Sequence, residues 1–372
     1  MKIAIVILAA GLSKRMGVFK PLLPVGGKPA AARCADAAKA AGVNEIIVVT
    51  GHRRDEINAA LCAEINNARL IHNDRYLSGM FSSVYAGVSS LSDDMDGFFL
   101  LPADCAAVSQ KDLETLTNEF AKSGMSAVVR PRFGDRRGHP PLIPADFAQG
   151  LLAYGGADGL KGFLRTLPTV EVEMGTPGVL LDMDTPEDYA DLLTYLKLPA
   201  YLDRDDSLKL LEKYGAPPDV VNHGKHVAAV ALKIARLINE HERTQTLDLN
   251  LLESACLLHD IKRSEPNHAA RGMELLLREG YPKAAVLAGG HMDLKSAVTT
   301  VGELELLYLA DKLCRRGEIV KLEDTLRNMS SKFSSDAEAF ECTKLRIENA
   351  QKILNLLQNR YGIGYETISG LR

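Results

Sequence analysis

Two groups of residues have types and spacings suited to chemistry on phosphates. The first is Leu8-Ala9-Ala10-Gly11-Leu12-Ser13-Lys14-Arg15-Met16-Gly17, with Lys20 behind it, set directly after the apolar run Lys2 to Leu8. A glycine-containing loop at the end of a buried strand lets backbone N–H groups approach a triphosphate, and Arg15 and Lys20 supply positive charge to offset it. Further along stand Asp104, in Leu101-Pro102-Ala103-Asp104, and Asp182 and Asp184, in Leu181-Asp182-Met183-Asp184-Thr185-Pro186-Glu187-Asp188. Carboxylates are hard ligands that suit Mg²⁺. Asp104 lies too far ahead of Ser109 to cap the helix expected there, whereas Asp-Thr-Pro-Glu is itself a helix-start signal.

The second group is His223, His259-Asp260 and Asp311. Helical spacing places His259 on a stripe with Leu252, Ala255 and Cys256, His223 with Val227, Val230 and Ile234, and Asp311 with Leu304, Leu307 and Tyr308. A buried carboxylate without a partner is costly, so three such polar residues on three apolar stripes call for a metal or a polar partner. Taken singly, His226 and His241 read as satisfied core histidines.

The first string resembles the MobA-like nucleotidyltransferases, whose signature reads LAAGxSxRMGxxK, and the likeness runs through the first half of the chain. It implies that Asp104 and Asp184 hold Mg²⁺, with Asp182 as the substitute, and that Ala9, Ala10, Gly11, Arg15, Lys20, Gly79, Ser82 and Ser83 bind the nucleotide. Arg137 and His139, in Arg137-Gly138-His139-Pro140-Pro141, would face the acceptor. Arg15, Lys20, Asp104 and Asp184 are then the catalytic residues: an acceptor phosphate attacks the α-phosphorus of a nucleoside triphosphate and pyrophosphate leaves. The Ala9-Ala10-Gly11 form of the loop resembles the cytidylyltransferases, and the RGHP segment points the same way. CTP is thus the expected donor, molybdopterin the expected acceptor, and a molybdoenzyme or its maturation factors the expected protein partners. Asp104-Cys105-Ala106 lacks the proline that commonly follows, which leaves a sugar 1-phosphate or phosphocholine open as the acceptor.

The order His223, His259-Asp260, Asp311 resembles the HD-domain metal phosphohydrolases, from Pro217 to Arg327. This implies an all-α bundle in which those four residues hold Mn²⁺, Fe²⁺, Ni²⁺ or Zn²⁺, with Asp260 catalytic. His268 and His291 occupy places where members with larger sites carry extra histidines. Ile261-Lys262-Arg263 and Met292 depart from the patterns of many relatives, so one metal or two stays open. The alternative is that this region senses a nucleotide or metal and regulates the transferase.

These groups need elements to position them. Apolar β-branched runs alternate with alanine-rich helical stretches up to residue 122, the mark of βαβ units. The expected fold is an α/β, Rossmann-like, doubly wound, mostly parallel sheet of the GT-A-like kind, with later strands at 126–130, 169–173 and 179–183. After residue 203 strand signals fade, and eight helical periods run from 205–214 to 334–359, including 249–262 and 318–329. The expected domains are 1–200 and 201–372, the second with an HD core at 217–327. The last helix, Ala337 to Tyr361, either covers the bundle or makes a homodimer contact.

Composition agrees with two globular domains: 372 residues, 46% hydrophobic, 25% charged. Residues 1–200 hold 31 of the 46 Gly and Pro residues, and residues 201–372 hold six of the nine histidines, so turns concentrate in one half and imidazoles in the other. Forty-four basic against 48 acidic residues leave no surplus for a nucleic-acid surface. Six scattered cysteines without a CxxC pair fit a reducing cytoplasm, and neither a signal-peptide pattern nor an apolar run of membrane-spanning length is present.

Overall fold

Ile3–Leu8 forms strand β1, and its uninterrupted apolar side chains are buried on both faces, as in the central strand of a covered parallel sheet. The structure, a computed structural model, describes residues 1–64, 68–155, 158–243, 245–294, 298–315, 317–332 and 337–370. After β1 come the short strands β2 (Pro24–Val25) and β3 (Lys28–Pro29), then β4 (Glu45–Thr50), β5 (Ala68–His72), β6 (Gly97–Pro102), β7 (Val128–Phe133), β8 (Arg136–Arg137), β9 (Leu142–Pro144) and β10 (Thr169–Glu173). The main sheet has the order β10-β7-β9-β6-β1-β4-β5, with β8 paired to β7. β1 is parallel to β4 and β6, β4 to β5, and β7 to β10. β9 is antiparallel to both β6 and β7. The parallel strands therefore end on one common edge, where the loops after β1, β5, β6 and β7 emerge, and ligands of open α/β sheets bind at such an edge.

Helices α1 (Ala30–Ala40), α2 (Arg54–Glu64), α3 (Met80–Val88) and α4 (Gln110–Lys122) cross between strands, followed by α5 (Ala148–Leu152), α6 (Gly159–Leu164) and α7 (Pro186–Tyr195). Ser109 caps α4 in a reciprocal pair with Asp112, and Thr185 caps α7 in the same way with Asp188. The strand expected at 179–183 is instead a 3-10 turn, Pro177–Leu180, running into a loop. Pro177 and Gly178 break the extended pattern, and the burial of Val179 comes from packing against the β8–β9 connection, where His139 N–H donates to its carbonyl at 2.8 Å.

The chain divides into units Met1–Leu198 and Pro199–Arg372. The second is helical: α8 (Arg204–Lys213), α9 (Pro218–Glu242), α10 (Leu249–Leu258), α11 (His268–Arg278), α12 (Pro282–Gly290), α13 (Glu303–Leu313), α14 (Leu322–Lys332), α15 (Ala337–Tyr361) and α16 (Tyr365–Gly370). A hairpin of β11 (Cys314–Arg315) and β12 (Glu318–Ile319) stands where a helix from 318 was expected, so α14 begins later. α10 stops at Leu258 rather than 262, which puts His259 and Asp260 on the turn that follows it. Residues 334–336 of the expected last helix lie outside the described residues. α15 buries Ile347, Ala350, Ile353 and Leu357, and Tyr308 donates to its Arg346 carbonyl at 3.1 Å, so its apolar stripe covers its own bundle. No described helix is long and apolar enough to cross a membrane.

Candidate active sites

The loop after β1 and the turn at Lys20–Leu22 bring the Lys20 side chain to the carboxyl edge of the sheet, where it is 11% exposed. Its Nζ lies 3.0 Å from Asp104 Oδ2 and 2.5 Å from Asp184 Oδ1. Arg15, largely exposed, reaches Asp184 Oδ2 at 2.7 Å. Neither aspartate is spent on a helix start, because Ser109 and Thr185 do the capping. Burial alone would lower the Lys20 pKa, but Asp104 and Asp184 outweigh it and hold the ammonium above its ordinary value. Desolvation works against Asp184, yet Lys20 and then Arg15 take it below the usual carboxylate range. Asp182 moves the other way: burial, followed by the charges of Asp184 and Asp104, pushes it up. Asp104 and Asp184 thus converge on the Lys20 ammonium, with the Asp182 carboxylate within electrostatic reach of both, and hard oxygen donors of this kind fit a divalent ion such as Mg²⁺.

Beside this triad is a cavity of about 350 Å³, lined by Ala10, Gly11, Lys20, Gly79, Ser83 and Asp104 among others. Tyr76, Leu77 and Met80 form its apolar side, and Leu77 and Met80 are exposed at 71% and 60%. Such a surface suits the face of a nucleobase. Asn73, buried, donates to the hydroxyls of Ser82 and Ser83 at 2.9 Å each and fixes the start of α3. Ser82 Oγ also lies 2.8 Å from the Arg75 and Gly79 carbonyls, so it holds the loop together. Ala9 is buried, with its N–H donating to Val49. Arg137 is on β8, ion-paired with Glu171 at 2.5 Å. His139, within electrostatic reach of Asp104, has its Nδ1 buried without a hydrogen-bond partner. Burial lowers its pKa, with the Asp104 charge opposing.

In the second unit, His223, His259, Asp260, His268, His291 and Asp311 come together from α9, the turn after α10, α11, the end of α12, and α13. His223 Nε2 is 3.0 Å from Asp311 Oδ1, and His268 Nε2 is 3.2 Å from Asp260 Oδ1 and 3.3 Å from His291 Nε2. His259 Nδ1 pairs with the Cys256 carbonyl at 2.8 Å and His291 Nδ1 with the Ala288 carbonyl at 2.6 Å. Each backbone carbonyl turns the Nε2 of its ring toward the carboxylates, which is the outer support that ligating histidines use. His259 Nε2 is fully buried with no hydrogen-bond partner, as fits an atom reserved for a metal. Three overlapping sets of donor atoms, sharing His259, Asp260 and His291, each lie within 4.8 Å. Burial raises Asp311, but Lys312, His223 and His259 bring it well below its ordinary value. His268, His291 and His259 do the same for Asp260 against its desolvation. His259 rises despite burial because Asp311 and Asp260 attract a proton as they would a metal cation.

A cavity of about 380 Å³ opens over this cluster. Arg263, which the sequence offered with Lys262 as a phosphate contact or a solvated helix end, is on its wall, and Lys312, Arg315 and Arg346 beside it were not among the residues read from sequence. Lys312 beside Asp311 carried a local signal; Arg346 reaches the site from α15 and carried none.

Residues 5–172 match the family model described as MobA-like NTP transferase domain, and residues 220–329 the model described as HD domain. The chain is 27% identical over 196 residues to the molybdenum cofactor cytidylyltransferase of Escherichia coli (strain K12), an overlap of 50% of this chain and 92% of that protein. It is 30% identical over 154 residues to a tRNA (cytidine(56)-2'-O)-methyltransferase of Thermoplasma volcanium, an overlap of 36% and 43%. Among solved structures, a nucleotidyl transferase from Methanothermobacter thermautotroptrophicus aligns at TM-score 0.47 and 26% identity, covering 53% of this chain and 98% of that one.

Proposed function

With residues 5–172 a MobA-like NTP transferase domain and residues 220–329 an HD domain, we propose that the chain transfers CMP from CTP to the phosphate of molybdopterin and hydrolyses a phosphate ester at a second site. The observation that carries the first half is the Lys20–Asp104–Asp184 triad at the edge of the Gly11 cavity. In this reading the Gly11 loop takes the triphosphate and the Tyr76–Met80 segment covers the base. An acceptor phosphate oxygen forms a bond to the α-phosphorus, the bond to the β-phosphate oxygen breaks, and pyrophosphate leaves with the electron pair. The acceptor is already ionised, so no general base is required; Lys20 and Arg15 offset the charge that gathers on the phosphoryl oxygens. Asp104, Asp184 and Asp182 would hold Mg²⁺, which adds Lewis acidity to the same end. The likeness to a cytidylyltransferase over nearly its whole length supports CTP and molybdopterin.

In the HD domain, His223, His259, Asp260 and Asp311 would hold one divalent transition metal, and His268 and His291, with Asp260 shared, a second. The nitrogen and oxygen donors suit Mn²⁺, Fe²⁺, Ni²⁺ or Zn²⁺, and a bound metal would lower the pKa of a water enough to attack a phosphate ester. Arg263, Lys312 and Arg346 add positive charge for the phosphate. Pyrophosphate release with molybdopterin and each of CTP, GTP, ATP and UTP tests the transferase reading. Release and a cytidylylated product with CTP above the others are expected; equal rates with GTP, or product only with a sugar 1-phosphate, would overturn it.

A further inference from the structure

Outside the groups already assigned, the first unit contains a partly buried cation without a counter-ion. Arg130 lies in β7, in register with Glu171 of β10. Its Nε is buried with no hydrogen-bond partner, and among the described residues its guanidinium makes no ion pair. Glu171, the carboxylate across from it, is already taken by Arg137 at 2.5–2.6 Å. Next in line is His139, whose buried Nδ1 also lacks a partner. Arg130 and Asp104 each stand within electrostatic reach of His139, and the Gly138 N–H bonded to the Pro131 carbonyl keeps His139 beside the Arg130 end of β7. The His139 backbone is held firmly: its N–H donates to Val179 and the Gly138 N–H to Pro131, each at 2.8 Å. A Cβ at Gly138 would meet the Val179 carbonyl oxygen at 2.4 Å, so this close approach is open to glycine alone.

β7 runs parallel to β6 because β9 is antiparallel to both. The end of β7 therefore lies at the same sheet edge as Asp104, with Arg130 three residues before that end. A partly buried guanidinium whose Nε is shut off from water and unpaired is unfavourable. Anion binding would offset that cost, and the planar fork of Arg matches phosphate oxygens in pairs. We propose that Arg130, with His139 beside it, is the anion clamp of the acceptor subsite, holding the acceptor's phosphate next to Asp104 while the Arg137–Glu171 pair fixes the rim. This rests on the transferase reading and names the residue that recognises the attacking group.

The test uses the full chain and the variants Arg130→Gln and Arg130→Lys, in two arms. In the first, CTP and molybdopterin are varied separately and pyrophosphate release is followed. The KM for molybdopterin should rise at least tenfold in Arg130→Gln, that for CTP should stay within twofold, and Arg130→Lys should recover part of the loss with melting temperature unchanged. Equal rises in both KM values, or no rise in the acceptor KM, would overturn the clamp. In the second arm, inorganic phosphate is titrated into protein saturated with a non-hydrolysable CTP analogue and Mg²⁺. Arg130→Gln should weaken one phosphate-binding event at least tenfold, and unchanged binding would overturn the proposal. If wild type releases no pyrophosphate in the first arm, the molybdopterin reading fails, and the second arm decides the clamp alone.

Discussion

Replacing Lys20 by Met removes the one ammonium that bridges Asp104 and Asp184, at 3.0 and 2.5 Å, while keeping the length of the side chain. Lys20 is 11% exposed and its partners 22% and 27%, so the triad lies between a fully buried pair and a surface one. Breaking the former costs about 3–5 kcal/mol and the latter about 0–1 kcal/mol. The carboxylates retain access to water and to Arg15, so a net loss of about 1–2 kcal/mol is expected. The loss depends on pH. Asp184 is depressed below 3.8 in the folded protein, so its share is present above that value and fades as pH falls through the folded pKa. Lys20 is raised above 10.5, so its share is present below that value and fades as pH rises through the folded pKa. The stability gap between wild type and Lys20→Met should be widest near neutrality and narrow as pH falls below 3.8, as read by chemical denaturation at several pH values. Catalysis should suffer more, because Lys20 is also placed to meet charge on the transferring phosphoryl group; loss of one such contact costs about 10²–10³ in rate. Pyrophosphate release within threefold of wild type, or a stability gap independent of pH, would refute the reasoning.

Other consequences follow from single contacts. Chelation with EDTA should lower the melting temperature of the second unit by roughly 5–10 °C if metal had been present at 100 times its dissociation constant. Asp311→Ala should abolish that EDTA effect and the bound metal seen by elemental analysis. Gly138→Ala drives a Cβ into the Val179 carbonyl at 2.4 Å and should destabilise by about 1–3 kcal/mol in urea denaturation, with a raised acceptor KM from the displaced His139. Thr325→Val removes a buried hydroxyl that has no partner, so stability in the same assay should stay level or rise by up to about 1 kcal/mol.

Much of this was legible in the residues. The apolar run Ile3–Leu8 and the glycine loop behind it announce a buried parallel strand and the loop at its carboxyl end, since both signals are local. Helical periodicity put His223, His259 and Asp311 on buried stripes, and the bundle brings those stripes to one point. What escaped depends on contacts between distant residues. Lys20 reads as a base for a triphosphate, and only folding reveals that it bridges aspartates 84 and 164 residues away. Nothing in the expected strand 126–130 marks Arg130 until the register sets it opposite a Glu171 already paired to Arg137. The run 179–183 passed for a strand because its apolar residues are buried, although the burial serves a turn after Pro177. Arg346 lies on a helix whose apolar stripe gave no hint that its polar side borders a cavity on another part of the bundle.

The central claim is that two independent phosphate chemistries occupy one chain, and a crossed pair of substitutions tests it most directly. Transfer is read as pyrophosphate released from CTP with molybdopterin, and hydrolysis as phosphate released from a panel of phosphate esters with Mn²⁺, on wild type, Asp104→Ala and Asp260→Ala. The account predicts that Asp104→Ala loses transfer and keeps hydrolysis, and that Asp260→Ala loses hydrolysis and keeps transfer. Loss of both activities from either substitution in a folded protein, or transfer that survives Asp104→Ala, would contradict it.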